Sequence, residues 1–254
     1  MFNISKKKAQ ALLSSGILGA TPFTPAVLVK GETTATPTFN YGEASQKSIM
    51  SDESQRPGKL PTDIPEYWRG DPGTKDGSDV GVELTGACYD AGDHVKFTLA
   101  LSYHVAMLAW SLCDDKAAHE KSGQLDYLET EIKWARDYLL MCHTGAVEYY
   151  YQIADGGADH TWWGPAEVIK MPRPSYEVDF HNPGSSVPAV AAAALASTAF
   201  ALEDIDKAYS EQCIQHARAP DDFADTSQSD AGYTAAHTYY NSWSGGCDEL
   251  SWAA

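Results

Sequence analysis

The sequence predicts a mainly helical, all-α fold whose chemistry sits on long polar joints. Apolar residues recur at helical spacing in successive segments, a single run alternates like a strand, and Gly-rich polar stretches separate them. Leu101, Val105, Leu108 and Leu112 fall at i, i+4, i+7 and i+11, one face of a helix starting near 97–99. Leu125, Leu128, Ile132, Ala135, Leu139 and Cys142 make a second face, with Ser122 as its expected cap. Val187, Ala191, Ala194 and Thr198 begin a third, Ala-rich helix behind the stop signal Asn182-Pro183-Gly184. A fourth is expected over about 206–218, ended by Pro220. The run from Val147 to Ile153, with its three tyrosines, reads as a strand.

With 254 residues and 43% hydrophobic composition, the chain has enough apolar material for one large domain or two small ones. Lys6, Lys7 and Lys8 precede a mostly apolar stretch from Ala9 to Val29, broken by Pro22 and Pro25, which is the order of a secretory leader. Residues 1–34 are therefore expected to be leader and linker, residues 35–254 the folded domain, and the mature protein extracellular. No other stretch approaches the roughly 20 apolar residues of a membrane span, so no membrane partner is expected. A net charge of −17 argues against nucleic acid, whose phosphates need a basic face. Five widely spaced cysteines, without a C-x-x-C pair, signal neither a zinc cluster nor a dense disulfide framework.

Just ahead of the first predicted helix stands Cys88-Tyr-Asp-Ala-Gly-Asp-His-Val-Lys-Phe97. Asp90 and Asp93 precede a helix N-terminus, whose positive end is expected to favour their ionised forms, the state a general base requires. By spacing alone the same string also suits a capping turn.

The segment Leu84–Phe97 resembles the catalytic signature of glycoside hydrolase family 9, the cellulase family. Asn40-Tyr-Gly-Glu-Ala44, Tyr67-Trp-Arg-Gly-Asp71, Met107-Leu-Ala-Trp-Ser-Leu112, Ala158-Asp-His-Thr-Trp-Trp-Gly-Pro-Ala-Glu167, Arg173-Pro-Ser-Tyr176 and Tyr240-Asn-Ser-Trp-Ser-Gly245 are similar to that family in the same order. The resemblance implies an (α/α)6 barrel, incomplete in this chain, that inverts the anomeric carbon of β-1,4-glucans such as cellulose. It makes Asp93 the general base and Asp90 its helper in holding the water, and places His160, Trp162, Tyr240 and Trp243 along the glucan cleft. Taken singly, the tryptophans also suit core packing. Ser244, Gly245, Asp248 and Glu249 resemble the family's Ca2+ site, although Ser244 followed by acidic residues also reads as an ordinary helix N-cap. The family's general acid is a glutamate expected beyond Ala254, so the alternative is a catalytically dead remnant that binds glucan weakly. Cellulosome or carbohydrate-binding-module attachment is expected outside this chain. Ala87-Cys88 stands where the family usually has glycine and an aromatic, and 51–54 replaces a stretch that normally contains aromatics.

Overall fold

A computed structural model describes residues 39–254; the expected leader and linker, 1–34, lie outside the described residues. Helix α1 (Tyr41–Glu53) starts where the Asn40 side chain accepts the Glu43 N–H at 3.1 Å. Helix α2 (Thr98–Ser122) buries Leu101, Val105 and Leu112 on the expected face. It is kinked at Asp115, whose carboxylate accepts the Ala118 N–H at 3.0 Å and so caps the second segment.

Helix α3 (Leu125–Cys142) buries Leu128, Ile132, Ala135, Leu139 and Cys142 as expected. Ser122 does not cap it. Gly123 takes the left-handed conformation that ends α2 and leaves a single residue, Gln124, before α3; the Ser122 hydroxyl instead donates back to the His119 carbonyl. Helix α5 (Ser186–Leu202), reached through the short α4 (Gly156–His160), is buried almost all round and packs between α2 and α6 (Lys207–Ser227). Its alanines allow that close approach. Pro220 lies inside α6 rather than ending it. A helix-interior proline costs about 3 kcal/mol, and the buried Phe223 and Ala224 one turn further on give the chain a reason to continue, since burying a Phe recovers roughly 1.5–3 kcal/mol. The last helix is α7 (Cys247–Ala253). Among the described residues no helix is long and apolar enough to cross a membrane.

The expected strand forms as β3 (Glu148–Ile153), and the helical architecture also carries a small sheet that periodicity did not foretell. Antiparallel to β3 run β1 (Lys96–Phe97), β2 (His143–Gly145) and β4 (Ser175–Asp179), with Lys96 opposite Ile153 and Tyr149 opposite Val178. Strands of two to five residues are too short to show a period. The sheet matters because β1 directly follows the Asp90–Asp93 loop and anchors one end of it.

Two buried ion clusters hold that loop from either side. On one side Asp76 accepts from Lys96 Nζ at 2.8 Å and from Arg173 Nε at 2.6 Å, while Lys96 also donates to the Leu84 carbonyl and Arg173 to the His94 carbonyl, both at 2.7 Å. On the other, Arg56 meets Glu131 at 2.5 Å beneath the Trp134 ring; Trp134 Nε1 donates to the Ala87 carbonyl and the Cys88 thiol to Glu131.

Burial pushes the Asp76 carboxyl up, but Lys96 and Arg173 outweigh it and hold it below the usual carboxylate range. A carboxyl depressed in the folded state adds stability above its unfolded pKa, about 3.9, and that contribution is lost as pH falls through the folded value. Asp76→Asn leaves two buried cations without their anion and is expected to cost about 3–5 kcal/mol. Urea denaturation at pH 7 checks the magnitude, and the gap between mutant and parent should narrow as pH falls below about 4.

Candidate active site

The residues of Asp90–Asp93 sit on a loop closed by the Asp90 N–H donating to the Val95 carbonyl at 3.0 Å. At its entry Ala87 has φ 69°, where glycine is the residue without a Cβ penalty; an alanine there costs about 1–2 kcal/mol. The strain is borne where Trp134 grips the Ala87 carbonyl. The loop does not feed straight into α2, because β1 intervenes, so the loop's own contacts, and not the helix end, position these carboxylates. Burial raises the Asp90 carboxyl, and the hydrogen bond from Tyr240 only partly pulls it back.

The two aspartates have different surroundings. Asp93, its side chain 9% exposed, accepts the Ala91 N–H at 3.1 Å through Oδ1 and lies 3.2 Å from His160 Nε2 through Oδ2. Asp90 has both oxygens 2.8 Å from the single hydroxyl of Tyr240, which donates its one hydrogen to the pair. Tyr240 packs edge-on against Phe97 at 5.0 Å, and the Phe97 ring also meets Tyr239 at 5.3 Å. A cavity of about 260 Å³ opens beside them, lined by Asp90, Tyr240, Cys88, Asp52 and His104 among others. Asp52 and His104 pair at 3.4 Å, which raises the His104 imidazole, chiefly through that hydrogen bond.

Helix α4 places two adjacent residues on opposite sides of this arrangement. Its N-cap, Asp155, accepts the Ala158 N–H at 2.7 Å. Asp159 points inward, fully buried, and accepts the His94 N–H at 3.1 Å. His160 points outward to Asp93, its ring set edge-on against Tyr239 at 5.0 Å. Gly156 is needed here, since a Cβ on it would lie 2.4 Å from the Tyr239 ring. Trp162 is half-buried against the His94 ring at 5.4 Å, whereas Trp243 is 89% exposed and leaves its faces bare. Asp93, Asp159 and His160 bring one ligand-type atom each within 4.8 Å of one another.

Sequence reasoning placed Asp90, Asp93, His160 and Tyr240, and the structure brings these four together. It missed the support: Asp159, His94, Tyr239 and the Asp52–His104 pair. His104 did carry a signal, the single histidine in the stretch from Thr98 to Cys113, which holds no Asp, Glu, Lys or Arg.

The other predicted site lies at the start of α7. Gly246, with φ 84°, occupies the N-cap position, so Ser244 is not the cap and no side chain caps this helix; Ser242 accepts the Gly246 N–H at 2.9 Å just ahead of it. The Ser244 hydroxyl donates to Asp248 at 2.5 Å, and Glu249 accepts from Ser242 at 3.1 Å. The neighbouring carboxylates differ: the Ser244 bond lowers Asp248, and burial together with the Asp248 contact raises Glu249. A hydroxyl and two crowded carboxylates are the hard oxygen donors that a Ca2+ ion takes.

Comparison with known proteins assigns the family. Residues 41–254 match glycosyl hydrolase family 9, and the chain belongs to that family. It is 49% identical over 223 residues to endoglucanase B of Cellulomonas fimi, covering 87% of this chain and 21% of that protein. Endoglucanase A of Bacillus pumilus is 47% identical, with 84% and 33% covered. Among solved structures, the endoglucanase of the termite Nasutitermes takasagoensis superposes with a TM-score of 0.82 at 38% identity, covering 85% of this chain and 50% of the termite chain. Endoglucanase CelQ of Clostridium thermocellum, solved with cellotetraose, gives 0.76 at 42% identity, with 85% and 34% covered. The chain thus spans half or less of the length of these relatives, and its architecture is that of an incomplete family 9 (α/α)6 barrel.

Because Tyr240 is the donor that stabilises the charged form of Asp90, Tyr240→Phe should move the Asp90 titration upward. A carboxyl-carbon NMR titration reads this directly; an unchanged or lower midpoint would deny the hydrogen bond its role.

Proposed function

We propose that this chain carries the water-activating part of an inverting β-1,4-glucan hydrolase, acting on cellulose or a related glucan outside the cell. The observation that carries the reading is the convergence of Asp93 with His160 and of Asp90 with Tyr240 from three distant segments. The relatives' names, endoglucanases, and the cellotetraose in CelQ support the substrate class. The Lys6–Lys8 run and the apolar segment behind it support export.

In this reading the Asp93 carboxylate takes a proton from water, with Oδ1 held by the Ala91 N–H and Oδ2 facing the water and His160. Asp90, its two oxygens tied to Tyr240, orients the same water. His160 and Trp162 hold the sugar hydroxyls and C–H faces nearby, and the bare faces of Trp243 offer a further stacking surface. Inversion needs a protonated acid about 6.5–9.5 Å from the base, so that water fits between them. By the family resemblance that acid is a glutamate of the domain's C-terminal half. Ser244, Asp248 and Glu249, with the backbone of Gly245, would hold a Ca2+ ion, whose part is to neutralise their charge and fix the start of α7.

The alternative is a remnant that binds glucan without cleaving it. Carboxymethylcellulose hydrolysis by the chain separates the two: turnover like that of an intact cellulase excludes the remnant. In an active form, Asp93→Asn is expected to lower kcat by at least about 100-fold with little change in KM, and Asp90→Asn to lose less. Azide should partly rescue Asp93→Asn and give a glycosyl azide of inverted configuration. If Asp90→Asn is the more damaged and the better rescued, the roles are exchanged.

Calcium binding only to the folded state raises the melting temperature by mass action. Scanning calorimetry with added calcium should show that rise in the parent and none in Asp248→Ala; an equal response in both would remove the ion from this site.

A further inference from the structure

At the candidate active site Asp159 is left half-partnered. Its side chain is 1% exposed, and Oδ1 accepts the His94 N–H at 3.1 Å, but the buried Oδ2 accepts no hydrogen bond. His94 Nδ1 stands 3.8 Å from that oxygen, too far to donate to it. Arg173, whose charge acts on Asp159, directs its own donors to Asp76 and to the His94 carbonyl. A buried polar atom without a partner is unusual enough in a native fold to require an explanation. Asp93 and His160 supply one, because each brings a ligand-type atom to the Asp159 carboxylate, all within 4.8 Å of one another.

We propose that Asp93, Asp159 and His160 form a site for a divalent transition-metal ion of the Zn2+ class, and that the bound ion takes the Asp93 carboxylate away from water. The donor set is one imidazole and two carboxylates. Imidazole suits zinc and its first-row neighbours, whereas calcium and magnesium take oxygen donors. Two atoms each about 2.1 Å from one ion lie roughly 3.4 Å apart at the tetrahedral angle, and His160 Nε2 to Asp93 Oδ2, at 3.2 Å, already has that span. Both carboxylates are fixed for the purpose. Asp93 Oδ1 is held by the Ala91 N–H and Asp159 Oδ1 by the His94 N–H, so each keeps its second oxygen free of the backbone. The edge-on Tyr239 ring at 5.0 Å steadies the imidazole, and the His160 side chain, 46% exposed, gives the ion a path from solvent. The two carboxylates also carry more negative charge than the one imidazole can balance, which a divalent ion offsets. Only the consequence for hydrolysis rests on the proposed function; the site itself stands on these contacts.

Calorimetric titration of ZnCl2 into the metal-free chain tests the site, with excess Ca2+ present so that oxygen-only sites are already filled. One ion is expected per chain, and His160→Gln and Asp159→Asn are each expected to weaken its binding by at least about 10-fold. His160→Gln alters a half-exposed side chain and leaves the fold intact, and Asp159→Asn keeps an oxygen for the His94 N–H. Zinc also takes exposed thiols and histidines, so Cys113→Ser, Cys247→Ser and His181→Gln are the controls, each expected to bind as the parent does. Absence of binding, binding that either site variant leaves unchanged, or binding that a control abolishes overturns the proposal. No glucan enters the measurement, so a failed titration leaves the hydrolase reading standing, and a failed hydrolase leaves the titration unchanged.

Discussion

Asp76 places one buried negative charge between two buried cations, and the geometry of the site depends on that contact. Lys96 belongs to β1, immediately after the Asp90–Asp93 loop, and Arg173 to the segment leading into β4. Taking three charges out of water costs several kcal/mol per ion, an outlay repaid only when the remaining donors are used. They are used: Lys96 reaches the Leu84 carbonyl and Arg173 the His94 carbonyl. These two carbonyls bracket the loop, so the cluster converts an electrostatic need into a fixed backbone path. Arg173 also feels the charge of the buried Asp159, which extends the same network to helix α4.

On that fixed path two chemically identical side chains become different. Asp90 faces a partly buried cavity and shares its charge with the Tyr240 hydroxyl, which ties it to a segment 150 residues away. Asp93 is held by a backbone N–H of its own loop and faces an exposed histidine. Separating the surroundings of two carboxylates is the general way in which one site obtains two roles from one residue type. The order of the loop supplies the residues, and the distant partners supply the difference.

The packing is equally asymmetric. Helix α5 is enclosed on nearly every side by α2, α6 and α7, and its alanines make that enclosure dense. Helix α2, which leads away from the loop, buries one side and leaves Tyr103, Met107 and Trp110 exposed on another. The active-site cavity opens beside that helix, at Leu101 and His104. Local strain is gathered at the same place: Ala87, in the left-handed conformation, hands the chain from the Arg56–Glu131 cluster to the loop.

The sequence by itself determined the helices whose buried faces repeat every three or four residues, because a single stripe of side chains suffices to define them. Leu128, Ile132 and Leu139 could be read as core directly. It also determined the family and four of the converging site residues, through strings whose order is local. It misplaced the ends. Ser122 and Ser244 have the composition of caps, but whether a serine caps depends on where the neighbouring glycine turns left-handed, at Gly123 and at Gly246. Pro220 reads as a stop, and only the burial of Phe223 behind it decided otherwise. The short strands, the Asp76–Lys96–Arg173 cluster and the upward shift of Asp90 were decided by tertiary structure alone. Each depends on burial and on partners brought from far along the chain, and neither quantity is written in any local stretch of residues.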